Sequence, residues 1–207
     1  MDRPENPSDA ELLRGIAEGG ELACRLFYRR WAPRLGRFLS RATADADVAS
    51  DLLQETFLRV LRAAPRFEAT GSAGAWVYRI ASNLAYSYWR RQRPRGRRAP
   101  LDVEGLEVPS RAPDPAQDRN RRVWMREARQ AVEQLPENHR LVFLLKIDGG
   151  LTYDEIGETL GCPTGTAKSR FHHAVRRLRA TLRDWEDADL GDPADRPATS
   201  RRDIHVV

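Results

Sequence analysis

Residues 151–183, LTYDEIGETLGCPTGTAKSRFHHAVRRLRATLR, constrain this chain more than any other stretch, because they read as two short helices around a tight turn. Thr152 is placed to cap the first helix while Glu155, three residues on, reaches back to the cap backbone, the reciprocal pattern of a capping box. Ile156 and Leu160 give that helix an apolar stripe. Gly161, Cys162 and Pro163 stop it, since glycine accepts a left-handed backbone and proline cannot extend a helix behind it. From Thr164 onward, Ala167, Phe171, Ala174, Val175, Leu178 and Leu182 recur at helical steps, so one face of the second helix is expected in a core, with Phe171 and Val175 inside it. The other face carries Lys168, Ser169, His172, Arg176 and Arg179. A basic helix after a short turn suits the major groove of DNA, with its N-terminal side chains at base edges and flanking arginines on phosphates. A merely solvated charged face needs neither the capping box nor the turn.

Two helices are expected ahead of this unit. One spans about residues 119–134, and the other begins at Pro136 and presents Leu141, Val142, Leu144, Leu145 and Ile147 as a wide apolar face before Gly149 and Gly150 end it. At the other end of the chain, Ser8 and Glu11 form a second capping-box pattern leading into Leu12, Leu13 and Ile16. From Glu21, apolar residues mark two amphipathic segments, with Pro33 starting the second.

The segment 47–64 carries two stripes. Leu53, Phe57, Val60, Leu61 and Ala64 are expected in the core, while Asp51, Gln54, Glu55, Leu58 and Arg62 form a polar line with one leucine set in it. An apolar anchor within a polar rim suits a protein partner, and an exposed helix face with a stray leucine is the competing reading. In the segment 75–91, Val77, Ile80, Ala81, Leu84 and Tyr88 make the buried side. Trp76, Arg79, Asn83, Tyr86 and Arg90 follow one another at steps of three and four. Alternating aromatic and cationic side chains suit single-stranded nucleic acid, because unstacked bases need flat surfaces and the backbone needs positive charge. Core burial is the better reading for Trp76.

Between Gln92 and Asp118 five prolines and the loss of helical period mark a linker, whose start belongs to a run of six arginines and no acid over residues 90–98. That run either follows DNA phosphates or is solvated charge, and it hides within a formal net charge of only +5. The cysteines, Cys24 and Cys162, sit in different halves with no partner at ligand spacing, so neither a disulfide framework nor a zinc site is expected. His172 and His173 project about 100° apart on a helix and do not share a metal ion. No run approaches the roughly 20 apolar residues that cross a bilayer. No membrane insertion, a cytoplasmic location, no cofactor and no enzymatic activity are the expectations.

LPENHRLVFLLKIDGGLTYDEIGETLGCPTGTAKSR, residues 135–170, resembles the fourth region of the extracytoplasmic-function sigma factors, the promoter-recognising subunits of bacterial RNA polymerase within the sigma-70 family. DLLQETFLRVLRA (51–63) and AWVYRIASNLAYSYWRRQR (75–93) resemble that family's core-binding and promoter-melting helices. The sequence departs from the family's usual residues at Ser87 and Gly157, where an acidic residue and an alanine are common.

The resemblance implies an all-α protein of two small helical domains joined by a flexible Pro/Arg-rich linker, the C-terminal one holding the helix-turn-helix. Its divisions are an N-terminal extension (1–20), a region 2-like domain (21–92), the linker (93–118), a region 4-like domain (119–184) and a disordered tail (185–207). Asp51, Gln54, Glu55, Leu58 and Arg62 would meet the clamp of the polymerase largest subunit, with the flap as a second site on core. Arg79, Asn83, Tyr86, Arg90 and Arg91 would hold opened minus-10 DNA. Thr166, Lys168, Ser169, Arg170, His172, His173, Arg176 and Arg177 would face the minus-35 duplex. An anti-sigma factor is the implied regulator. A free-standing helix-turn-helix regulator that dimerises through its N-terminal half is the alternative.

Overall fold

The computed structural model describes residues 7–68, 71–92 and 118–189, and the linker at 93–117 and the tail beyond Asp189 lie outside them. Helix α1 (Asp9–Ala17) starts at the expected capping box: the Glu11 amide donates to Ser8 Oγ at 3.2 Å, and the Ser8 amide donates to Glu11 Oε2 at 2.7 Å. Leu12, Leu13 and Ile16 are buried, which makes the N-terminal extension part of the main apolar core. Helix α2 runs unbroken from Glu21 to Thr43 with Pro33 inside it, against the expectation of two segments. A proline inside a helix costs about 3 kcal/mol. Phe27, Trp31, Leu35, Phe38 and Leu39 are all buried along one stripe on both sides of it, at about 1.5–3 kcal/mol each, so packing outweighs the break.

Helix α2 ends at Ala44, whose φ of 58° is left-handed, and Asp45 then caps α3 (Ala46–Ala63) by accepting the amides of Asp47 and Val48, both at 3.0 Å. The buried stripe of α3 is rotated from the expected one. Ala49, Leu52, Thr56 and Val60 are inside and Leu53 and Phe57 are half-buried, while Leu61, expected in the core, is 43% exposed. Thr56 tolerates burial because its hydroxyl donates to the Leu52 carbonyl at 2.6 Å. After a single 3-10 turn (Ala64–Arg66), α4 (Ala73–Gln92) buries Val77, Tyr78, Ala81, Ser82, Leu84, Ala85 and Trp89. The expected Ile80 and Tyr88 are only half-buried.

The second half comprises α5 (Asp118–Glu133), α6 (Glu137–Ile147), α7 (Tyr153–Leu160) and α8 (Thr164–Asp189). Helix α6 buries Leu141, Val142, Leu144 and Leu145, but Ile147, expected among them, is 57% exposed on the last turn. Both halves of the Thr152–Glu155 capping box are present on α7, and Gly161 ends that helix at φ 64°. Gly157 sits where an added Cβ would lie 2.7 Å from the Cys162 carbonyl, so its bare backbone lets the turn into α8 close tightly. On α8, Ala167, Ala174 and Leu178 are buried and Phe171 and Val175 are half-buried. Arg179, expected on the outer basic face, is instead only 9% exposed, with guanidinium nitrogens as well as its stem inside. The helix continues to Asp189, past the expected end at residue 184, because no glycine or proline intervenes before Gly191.

The two halves press together, α4 against α7 and α2 against α5 and α6, and their apolar residues form one cluster that runs from Leu12 to Ala167. A smaller cluster of Ala131, Leu135, Ala174 and Leu178 lies between α5 and α8. Polar contacts border the seam. The Arg41 guanidinium pairs with Asp148 Oδ1 at 2.6 Å, the Tyr78 hydroxyl donates to the Asp148 carbonyl at 3.3 Å, and Arg129 donates to Ser40 Oγ at 3.1 Å. Arg140 donates to the carbonyls of Ala42 at 2.6 Å and Leu135 at 3.1 Å, and to that of Glu133, serving carbonyls at the ends of α2 and α5 that have no partner within their own helices. Its guanidinium also lies 5.7 Å from the Trp89 ring centroid.

Replacing Arg140 by Met keeps the stem and removes those donors, and is expected to lower unfolding free energy by about 2–3 kcal/mol in urea titrations, as for charged donors to buried acceptors. The Glu155 carboxyl is held below its ordinary value of 4.5, chiefly by the hydrogen bond from the Thr152 amide. A depressed pKa in the folded state stabilises above the unfolded value and is lost as pH falls through the folded one. The stability gap between the parent and Glu155→Ala is therefore expected to be full at pH 7 and to close below pH 4.5, a trend that parallel unfolding curves across pH would check.

Candidate nucleic-acid and partner surfaces

The α3 line is on the surface as its spacing demands. Asp51, Gln54, Leu58 and Arg62 are exposed, and Glu55 is half-buried and accepts from Arg59 Nε at 2.7 Å. Leu58 is 46% exposed, and it has company that the sequence did not announce. The neighbouring Leu61 lines an apolar groove of about 340 Å³ with Ile16, Cys24, Phe57 and the exposed Tyr28, flanked by Arg25 and Arg29. The apolar anchor is thus an area shared by α2 and α3, and the exposure of Leu61 joins it to the polar line. The mistaken core assignment of Leu61 concealed this area.

On α4, Arg79, Asn83, Arg90 and Arg91 are exposed along one side. Trp76 is half-buried with its ring edge-on to Phe67 at 5.1 Å, in keeping with a packing role. Tyr86 stands apart from its neighbours on this line. It is half-buried, its ring meets Trp89 edge-on at 5.7 Å, and its hydroxyl donates to Asn138 Oδ1 of α6. Burial pushes the Tyr86 pKa up, with nearby Arg170 pulling the other way, so the group is a neutral donor.

On α8, Lys168, Ser169, His172 and Arg177 are exposed, and Thr166, Arg170, His173 and Arg176 are half-buried. The Thr166 amide donates to the Pro163 carbonyl at 2.9 Å. Arg176 Nη2 lies 3.4 Å from His173 Nδ1, an arrangement that fixes both side chains near the middle of the helix. Thr164 Oγ1 donates to Asp154 Oδ1 at 2.8 Å and ties the start of α8 to α7, so the angle of α8 is set at the turn. Among the described residues, no group of three or more His, Cys, Asp and Glu is placed to hold a metal ion. Within the same residues no helix is long and apolar enough to cross a membrane.

The surfaces therefore separate by chemistry: an apolar and acidic-basic one on α2 and α3, a cationic one on α4, and a cationic one with hydroxyl and imidazole groups at the start of α8. Cationic side chains on rigid helices place a polyanion, while groups reaching base edges would choose among sequences.

Residues 27–95 match the family described as Sigma-70 region 2, and residues 125–178 match Sigma-70, region 4. Over 154 residues the chain is 35% identical to the ECF RNA polymerase sigma factor SigE of Mycolicibacterium smegmatis, covering 74% of this chain and 59% of that protein's length. Over 179 residues it is 32% identical to the ECF RNA polymerase sigma-E factor of Escherichia coli K12, covering 82% of this chain and 92% of the relative. Among solved structures, CnrH in complex with the cytosolic domain of CnrY superposes with a TM-score of 0.63 at 21% identity, over 88% of this chain and 99% of that one. The sigma factor RpoE in complex with the anti-sigma factor NepR from Bartonella quintana gives 0.57 at 23%, over 76% and 96%. Both structural likenesses concern the fold.

Proposed function

This chain belongs to the extracytoplasmic-function group of sigma-70 RNA polymerase sigma factors, the subunits that direct the polymerase to promoters, and from that premise we propose which residues carry each part of the work. The observation that carries the assignment is that both family regions occur in order on one chain, with the α3 line exposed within the first of them. A region 2 joined to a region 4 sets aside the free-standing helix-turn-helix regulator.

The core enzyme docks on Asp51, Gln54, Glu55, Leu58 and Arg62. Leu58 is the apolar centre of that contact and the charged residues form its rim. Opened minus-10 DNA lies along α4, where Arg79, Arg90 and Arg91 hold phosphates, Asn83 reads a base edge and Tyr86 offers a stacking surface. Stacking is worth about 1–3 kcal/mol per base, comparable to the cost of unpairing one, so a helix of this type stabilises an opened strand without a fuel molecule. The minus-35 duplex meets Lys168, Ser169, Arg170, His172, His173 and Arg176, with Thr166 and Arg177 on phosphates. The phosphodiester chemistry belongs to the polymerase core, and this chain contributes binding. An anti-sigma factor that covers the core-binding and DNA surfaces is the regulator that the family assignment implies.

Purified core polymerase supplemented with this chain is expected to give discrete run-off products from a subset of genomic fragments, and core alone is expected to give none. In the same assay Leu58→Glu should remove both co-purification with core and those products, since a charge in the centre of an apolar contact strands itself on burial. Core that neither retains the parent chain nor gains start-site choice from it would overturn the assignment. Replacing Arg176 by Ala should cost about 1–3 kcal/mol on matching promoters only if it reads a base, and should weaken all duplexes alike with a shallower salt slope if it holds a phosphate. Titrations across sequence variants and salt separate the two, and an unchanged affinity in both would remove Arg176 from the interface.

A further inference from the structure

We infer that the groove where α1, α2 and α3 meet is a binding site for a single-chain anionic amphiphile, a molecule with one short acyl chain and a carboxylate head, and that this ligand and core polymerase exclude one another. Only the exclusion rests on the docking line proposed above.

The groove exists because α1 folds back onto α2 at short range. A Cβ added to Gly15 would lie 2.8 Å from the Ala23 Cβ, so the bare glycine lets the two helices meet, and Ile16 next to it borders the space. Phe27 and Val60, both buried, are its floor. Its walls are Leu61 and the rings of Tyr28 and Phe57, whose centroids lie 4.6 Å apart. The lining side chains are apolar apart from Arg25, Arg29 and the hydroxyl of Tyr28. At about 340 Å³ the space falls at the lower end of the range for small-molecule sites, which are mostly apolar with a few placed polar groups. A recess that reaches buried side chains on three helices suits a slender, flexible chain, whose burial removes apolar surface from water.

The charge at the mouth selects the head group. Arg25 and Arg29 are both exposed and one helical turn apart on α2, so they share a side of the helix. Arg25 pairs with Glu21 on the open surface, a contact that contributes little and exchanges readily. Arg29 has no carboxylate partner among the described residues. A carboxylate at this mouth accepts charge-assisted hydrogen bonds, whereas a cationic head is repelled.

The exclusion follows from position. Leu61 is a wall of the groove, and Leu58 stands three residues before it on the same helix, so a ligand seated there lies against the apolar centre of the core-docking line.

The test uses the full chain with Cys162→Ser, which leaves Cys24, a lining residue of the groove, as the one thiol. At ten times its dissociation constant a ligand leaves about a tenth of the sites open, so decanoate below its micelle concentration should slow alkylation of Cys24 by iodoacetamide about tenfold. Decyltrimethylammonium, with the same chain and a cationic head, and butyrate, with the same head and too short a chain, should not protect. Arg25→Gln with Arg29→Gln, both at exposed positions, should weaken decanoate about tenfold with helix content unchanged by circular dichroism. No protection by decanoate, equal protection by the cationic amphiphile, or unchanged affinity in the double variant overturns the site. On immobilised core polymerase, retention of the parent should fall as decanoate is added, and retention of the double variant should not. Retention of the parent that ignores decanoate overturns the exclusion. A parent chain that core fails to retain without any ligand counts against the docking assignment and not against the groove.

Discussion

The phenol of Tyr78 ties this molecule together. Its ring sits edge-on to Trp31 at 5.7 Å and to Phe38 at 5.2 Å, inside the first helical group, and such edge contacts add to the area that the rings bury. A buried phenol must also satisfy its hydroxyl, and the partner it finds is the Asp148 carbonyl in the second group. Burial pushes the Tyr78 pKa up, so the group is a neutral donor under ordinary conditions. The same residue thus completes an aromatic core and reaches across a seam. The neighbouring Asp148 side chain meets Arg41 from the same N-terminal half, so one turn of chain after α6 receives two contacts from the other group.

Around that seam the helices are arranged so that each carries one buried and one outward task. The inner side of α3 packs on α2 and α4, which leaves Asp51, Gln54, Leu58 and Arg62 outward. Helix α4 is sandwiched between α2, α3 and α7, and only its cationic edge is free. The helix-turn-helix is stiffened at its hinge by Gly157, Gly161 and the Thr164–Asp154 hydrogen bond, so α8 is presented at a fixed angle. Two modest DNA contacts on one chain reinforce one another through effective concentration, and neither needs to be tight alone.

Local rules made much of this legible in the sequence. Both capping boxes, the stop at Gly161, the outward line on α3 and the outward Arg79, Asn83 and Arg90 of α4 follow from a few residues at fixed spacing, whereas Tyr86 of that same α4 line is drawn to Asn138. The failures have equally particular causes. The proline rule divided α2 because it weighs one residue, whereas the structure weighs a stripe of five large side chains. Thr56 was passed over as core because its hydroxyl bond to Leu52 is invisible in a hydrophobicity pattern, and that error rotated the stripe and hid the exposure of Leu61. Arg179 was read by its charge, yet the structure places it inside, guanidinium included. The seam could not be read at all, because Arg41 and Asp148 are 107 residues apart and Tyr86 and Asn138 are 52 apart. No periodicity encodes a pairing at that distance.

Helix α1, expected as a capped helix in an N-terminal extension, is better described as a plug. Leu12, Leu13 and Ile16 share a cluster with Phe27 and Trp31, and Asp9 is fastened to Arg30 at 2.7 Å. Trimming the chain from its front, whether by a later start of translation or by a peptidase, would therefore not spare the rest. It would open a greasy socket beneath α2, and the fragment would be a substrate for quality control before it could be a subunit of anything.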